Sequence, residues 1–167
     1  MIPKYTIDLE SGSLCPDNNQ LEIPMRKFRI DRLDRTRRIL SMDFSLAHPV
    51  NNNTAINFTL ERWSQGAWLN VHTFPTKLNF CETITDLPVM VFRELYANFT
   101  KAIGLENRQH CNVPAGNYSA RYPVYIASGE VPFWTGRFRS TFALNRIAND
   151  KKVFCGQNLV NLVEVPH

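Results

Sequence analysis

Hydrophobic and polar residues alternate with a period of two along most of the chain. Leu40, Met42, Phe44 and Leu46 are separated by Ser41, Asp43 and Ser45, and Ile56, Phe58 and Leu60 by Asn57, Thr59 and Glu61. Successive side chains of a strand point to opposite faces, so each segment reads as a strand with one buried and one wet face, as in antiparallel sheets. The same phase sets Tyr118, Ala120, Tyr122, Val124 and Ile126 on one face, and Phe138, Phe142 and Leu144 on one face of another strand. Further strand signals run from Phe28 to Leu33, Trp68 to Thr73 and Val153 to Val165, with Asp34-Arg35-Thr36 and Ser64-Gln65-Gly66 as turns. The expectation is a mostly β fold: an antiparallel β-sandwich or open cup of seven or eight strands. There are no internal repeats and no low-complexity tracts.

One segment changes period. Leu87, Met90, Val91, Glu94, Leu95, Asn98, Phe99 and Ala102 fall at helical spacing, so an amphipathic helix is expected over about 86–103. Asp86-Leu87-Pro88 offers an N-cap and a proline in the first turn, and Gly104 is placed to end the run. Such a helix either caps an ordinary core or walls one side of a ligand cavity.

At 167 residues, with 44% hydrophobic and 11% aromatic content, the chain suffices for one sizeable core, and a single domain over 1–167 is expected. No apolar run approaches the ~20 residues that span a bilayer. The opening Met1-Ile2-Pro3-Lys4 has no apolar leader segment, which sets two expectations, a cytosolic chain or a mature one whose leader has been removed. Arg26, Lys27, Arg29, Arg32, Arg35, Arg37 and Arg38 cluster against only Asp31 and Asp34, a surplus larger than the whole net charge of +4. This is either a solvated hairpin edge, where cations also discourage strand pairing, or a contact for anionic headgroups or polyanions through Arg35, Arg37 and Arg38.

Cysteines and sequons favour secretion. Cys15, Cys81, Cys111 and Cys155 form an even set without a CxxC or a neighbouring histidine pair, the usage of disulfides rather than metal ligands, and four cysteines allow three connectivities. Asn52, Asn57, Asn98 and Asn117 each head an Asn-x-Ser/Thr acceptor, with Asn57 and Asn117 on the polar phase of their strands. An extracellular chain is expected, with a lysosomal lumen second, and nucleic acid is not an expected partner. Chemistry is sparse. His48, His72, His110 and His167 are scattered, Glu82 and Asp86 flank a helix start where acids suit the dipole, and no glycine-rich phosphate loop exists. No enzyme, no metal and no cofactor are expected.

The most specific stretch reads Cys111-Asn112-Val113-Pro114-Ala115-Gly116-Asn117-Tyr118-Ser119, then Val131-Pro132-Phe133-Trp134, then Gly136-Arg137-Phe138-Arg139. It resembles the ganglioside activator proteins, relatives of the MD-two-type lipid-recognition family, which run Cys-Pro-x-x-x-Gly-x-Tyr-Ser, Leu-Pro-x-Trp and Gly-x-Tyr-Arg and close on a cysteine in the last strand. Phe58-Thr59-Leu60-Glu61-Arg62 with Gly66-Ala67-Trp68-Leu69-Asn70-Val71 extends the match, so it spans over half the chain. The Arg37-Arg38-Ile39-Leu40 phrase, the Cys81 segment and the long helix also look like arthropod secreted proteins of the chemosensory CheB type. The resemblance implies a lipid-binding β-cup, with the disulfides Cys15–Cys155 and Cys81–Cys111. It makes Val131, Phe133 and Trp134 a membrane-touching loop at the mouth, although Trp134 also reads as a core residue. The helix face Leu87, Met90, Val91, Leu95 and Phe99 would wall the cup, and Phe44, Leu46, Phe58, Leu60, Tyr122, Phe138 and Phe142 either line it or pack a filled core. Activators carry twice as many cysteines, and the region between Cys81 and Cys111 lacks the extra bridges here. Two functions stand: a carrier or presenter of an acyl chain or other hydrophobic ligand, with transient membrane contact and a receptor or enzyme partner, or a receptor-interaction module with a filled core.

Overall fold

Residues 4–17, 21–35, 37–71, 78–82, 97–104, 111–125, 127–130 and 135–164 are described by the structure, a computed structural model. Among them run the strands β1 Lys4–Leu14, β2 Met25–Arg32, β3 Arg37–Leu46, β4 Thr54–Ser64, β5 Ala67–Asn70, β6 Leu78–Asn79, β7 Gly116–Tyr125, β8 Ala127–Glu130, β9 Gly136–Arg146 and β10 Lys152–Glu164. All pairings are antiparallel. The large sheet has the order β5-β4-β9-β10-β1-β8, with β6 also on β4, and the small sheet the order β2-β3-β7. The mostly β, antiparallel two-sheet expectation therefore holds, with ten strands among the described residues in place of seven or eight.

The alternating segments form strands because each has an apolar face to bury. Leu40, Phe44 and Leu46 of β3 are buried, as are Ala120 and Tyr122 of β7 and Phe138 of β9. The β4–β5 hairpin turns on Gln65 (φ 50°) and Gly66 (φ 83°), the two positive φ values of a two-residue type I′ turn. At the β2–β3 turn the Arg37 main-chain N–H donates to the Asp34 carboxylate at 2.8 Å. Residues 97–102 are helical. Gly104, at φ 82°, ends that helix, its N–H donating to the Lys101 carbonyl at 3.1 Å. The rest of the expected helix, 86–96, lies outside the described residues. No described helix is long and apolar enough to cross a membrane.

β1 was not among the expected strands. Its first half alternates at Tyr5, Ile7 and Leu9, but a bulge between Leu9 and Ser11 shifts the phase, and Ser-Gly-Ser follows. The extra residue moves the inward positions to Gly12 and Leu14, so the period-two signal breaks mid-strand. Both disulfides close as the activator resemblance implies: Cys15–Cys155 with Cα atoms 5.4 Å apart, and Cys81–Cys111 at 5.3 Å.

The core divides lengthwise. At one end both sheets share a cluster of Ile23, Phe44, Leu46, Val50, Phe80, Val113, Val153 and Phe154. Toward the other end the buried residues fall into two clusters, one per sheet: Ile30, Leu40, Ala120 and Tyr122 on the small sheet, and Leu60, Val71, Phe138 and Leu162 on the large one. We call these the joined and the parted end.

Candidate functional site

The joined end is heavily fastened. Phe28 of the small sheet meets Phe154 of the large one edge-on at 6.4 Å, and Phe142 packs on Phe154 at 5.3 Å. Val50 and Val113 exchange two main-chain hydrogen bonds of 2.9 and 3.0 Å. The guanidinium of Arg146 donates to the Pro49 carbonyl at 2.8 Å, to Thr54 Oγ1 at 3.2 Å and to Glu22 Oε1 at 2.8 Å, pinning three stretches of chain. Both disulfides belong here, since Cys81 and Cys111 pack on the shared cluster and Cys15–Cys155 with Ala143 forms a small one beside it.

At the parted end the buried residues of the two inner faces belong to different clusters, with Leu9 of β1 packing across onto the small-sheet one. Phe138 is 1% exposed and packs with Leu60, Leu162, Phe58 and Val160 on its own sheet. Tyr122 lies in the facing wall with Leu40 and Ala120. Burial holds its phenol in the neutral form and pushes its pKa above the usual tyrosine range. Polar fastening among the described residues is light. Arg38 of β3 pairs with Asp8 of β1 across the sheets at 3.1 Å, and Arg62 donates to the Thr135 carbonyl at 2.9 Å beside the strand start at Gly136.

The expected site residues divide accordingly. Phe44, Leu46, Leu60, Tyr122 and Phe138 are buried, and Phe58 and Phe142 half-buried, all on inner faces. Phe99 stacks on Phe44 at 5.9 Å and packs against both the shared cluster and the small-sheet cluster. Val131, Phe133, Trp134, Leu87, Met90, Val91 and Leu95 lie outside the described residues. Of the three arginines expected to meet anions, Arg38 is instead 9% exposed and held by Asp8 and by the carbonyls of Asp34 and Arg37. Arg37 is half-exposed and paired with Asp34 at 2.7 Å, whereas Arg35 is exposed. Asn52, Asn57, Asn98 and Asn117 are all exposed.

Sequence reasoning missed a polar pair on the inner face. Register sets Leu60 opposite Ser140, Ser140 opposite Asn158, and Asn158 opposite Gly12. Gln157 faces the other way, its amide donating to Thr141 Oγ1 at 3.3 Å. Ser140 is buried, and the side-chain oxygen of Asn158 is buried without a hydrogen-bond partner among the described residues. A period-two reading would have found them, since both occupy inward phases of strands otherwise carrying Phe138, Phe142, Val160 and Leu162. The outer face was missed too. There Arg139 makes a bidentate pair with Glu61, both contacts 2.9 Å, and lies 4.8 Å from the Trp68 ring centre. Trp63 meets Trp68 edge-on at 5.2 Å, and a depression of about 170 Å³ lined by Ser11, Ser13, Arg139, Gln157, Asn158 and Leu159 lies alongside.

For catalysis the described residues offer little. Cys15, Asp17 and Cys155 come together, but the two sulfurs are bonded to each other and present no thiolate. What the inner faces offer is apolar surface on both sheets.

No protein-family model matches the chain, and no curated protein matches it. Among solved structures, chicken MD-1 complexed with lipid IVa is similar at 13% identity and a TM-score of 0.38, covering 96% of this chain and 98% of that one. A Niemann-Pick type C2 protein from the Japanese carpenter ant is similar at 12% identity and a TM-score of 0.31, covering 91% and 92%.

Proposed function

We propose that this chain is a secreted, non-enzymatic lipid-binding protein that takes an acyl chain or other hydrophobic ligand between its two sheets at the parted end. The observation that carries this reading is the division of the core: one shared cluster at the braced end, and two clusters on facing walls at the other. An alkyl chain entering between such walls gains about 0.8 kcal/mol per buried CH₂ before ordering costs. The headgroup would meet the cations at that end, Arg35, Arg37 and Arg62, with Val131, Phe133 and Trp134 as the membrane-touching lip. The two disulfides and four exposed sequons support a secretory route. Carrying or presenting the ligand to a receptor or enzyme fits a binding site without chemistry of its own.

Native mass spectrometry of the protein secreted from insect cells and incubated with palmitic acid tests this. A one-to-one adduct, lost when Leu60 and Leu162 are both changed to Trp, is the expected result. Failure to take up the fatty acid, with the fold intact, would favour a receptor-interaction module with a filled core.

A further inference from the structure

We infer that Asn158 is a hydrogen-bonding anchor inside the cup, and that the ligand therefore carries a hydroxyl or similar donor on its buried part rather than being a plain hydrocarbon chain. This rests on the lipid-binding reading above. Asn158 lies midway along β10, between the shared cluster at Phe154 and the parted wall at Leu162. No bulge interrupts β10 from Phe154 to Leu162, so Asn158 shares the inner face with Phe154, Val160 and Leu162. Its neighbours on that face are small: Gly12 and Ser140 across the strands, and Gly156 two residues back.

The small neighbours do not simply leave space. A Cβ on Gly12 would come within 3.0 Å of Ile30 Cδ1 and 3.1 Å of Phe28 Cε1, and one on Gly156 within 3.2 Å of both Phe142 and Phe154. Apolar groups from both sheets thus stand close to the two glycines that flank Asn158 on this face. In such surroundings its oxygen, buried and without a partner among the described residues, forfeits the hydrogen bonds that water would give it. Leucine has nearly the same shape and none of that cost. An amide here is explained by a partner arriving from outside the fold, and the nearby Phe28, Ile30, Phe142 and Phe154 suit a donor carried on a largely apolar molecule. An alcohol fits: its O–H donates to Asn158 Oδ1, and its oxygen accepts from the same amide or from the Ser140 hydroxyl.

The test is displacement of bound N-phenyl-1-naphthylamine by 1-dodecanol and by 1-methoxydodecane, which lacks the donor. The parent is expected to prefer the alcohol by about tenfold, the size of one net hydrogen bond. Asn158→Leu is expected to lose the preference while melting no lower than the parent, and to keep binding the ether. Asn158→Ala carries the same comparison should the leucine variant fail to fold. Equal displacement by both compounds in the parent, or a preference that survives in both variants, overturns the anchor and leaves the oxygen to a bound water. If the parent takes up neither the probe nor the two compounds, the cup reading itself falls, and the anchor with it.

Discussion

The two ends of the sandwich are built from similar strands but held by different means. At the joined end, residues of both sheets interdigitate, two disulfides close, and Arg146 ties Pro49, Thr54 and Glu22 together. At the parted end the buried residues of each sheet form a cluster of their own, and among the described residues the sheets are linked there by the Arg38–Asp8 pair, by Leu9 of β1 packing on the small-sheet cluster and by the approach of β1 to β2. The same alternating pattern thus serves two purposes. Where the sheets are pinned together the inward residues of both pack in one cluster, and toward the other end the buried residues of each sheet pack mainly on their own neighbours.

The disulfides offer the largest way to break this contrast. Replacing Cys15 and Cys155 by Ser opens a sequence separation of 140 residues and is expected to cost about 4–5 kcal/mol in the loop-entropy account. The same change at Cys81 and Cys111, separated by 30, is expected to cost about 3–4 kcal/mol. Urea unfolding of the two double variants checks both the size and the order. A negligible loss for the first pair would mean the joined end is not the anchor of the fold.

Core truncations sharpen the comparison further. Phe44→Ala is expected to cost about 3–5 kcal/mol, because the ring stacks on Phe99 and packs at a tilt on Tyr118 at the joined end. Leu60→Ala, whose cluster stays within one sheet, is expected at the low end of the ~2–5 kcal/mol range for buried leucine. Added fatty acid should recover part of the second loss and none of the first, read as a thermal shift. Equal recovery at both ends would erase the distinction.

Arg38→Ala should cost about 2–3 kcal/mol, less than the ~3–5 of a fully buried pair, since the Asp8 side chain left behind is 24% exposed. A double-mutant cycle with Asp8→Ala isolates the coupling, and a value near zero would mean that the pair does not link the sheets. A smaller effect is expected at alkaline pH. The folded state resists ionisation of Tyr122, so its unfolded counterpart loses a proton first, above about pH 10. Stability should fall as pH rises through that value, and Tyr122→Phe should fall less. Parallel pH profiles for the two proteins would contradict the buried phenol.

Much of this arrangement was legible in the alternation itself. Leu40, Phe44 and Leu46, or Phe138 and Phe142, stand on inner faces because only one phase of each strand is apolar, and that is a local property. The type I′ turn at Gln65-Gly66 and the helix end at Gly104 were legible for the same reason, since their residue types serve a backbone conformation. β1 was hidden because its bulge at Glu10 changes phase mid-strand and its second half is Ser-Gly-Ser. The burial of Arg38 was hidden because its partner, Asp8, is thirty residues away on the other sheet. Asn158 and Ser140 were passed over because polar residues in a strand read as its wet face unless the phase is carried through from their neighbours. Which end of the sandwich parts is a matter of how two sheets lie against each other, and no local pattern encodes that.

The most direct measurement is of where a bound chain lies. With uniformly ¹³C-labelled palmitic acid added to the folded protein, filtered NMR experiments report which side chains touch its methylenes. The account predicts contacts to Leu60, Val160 and Leu162 of the parted end, and none to Val50 or Val153 of the joined one. Contacts confined to exposed residues such as Leu69 and Val163, with the inner faces silent, would contradict it.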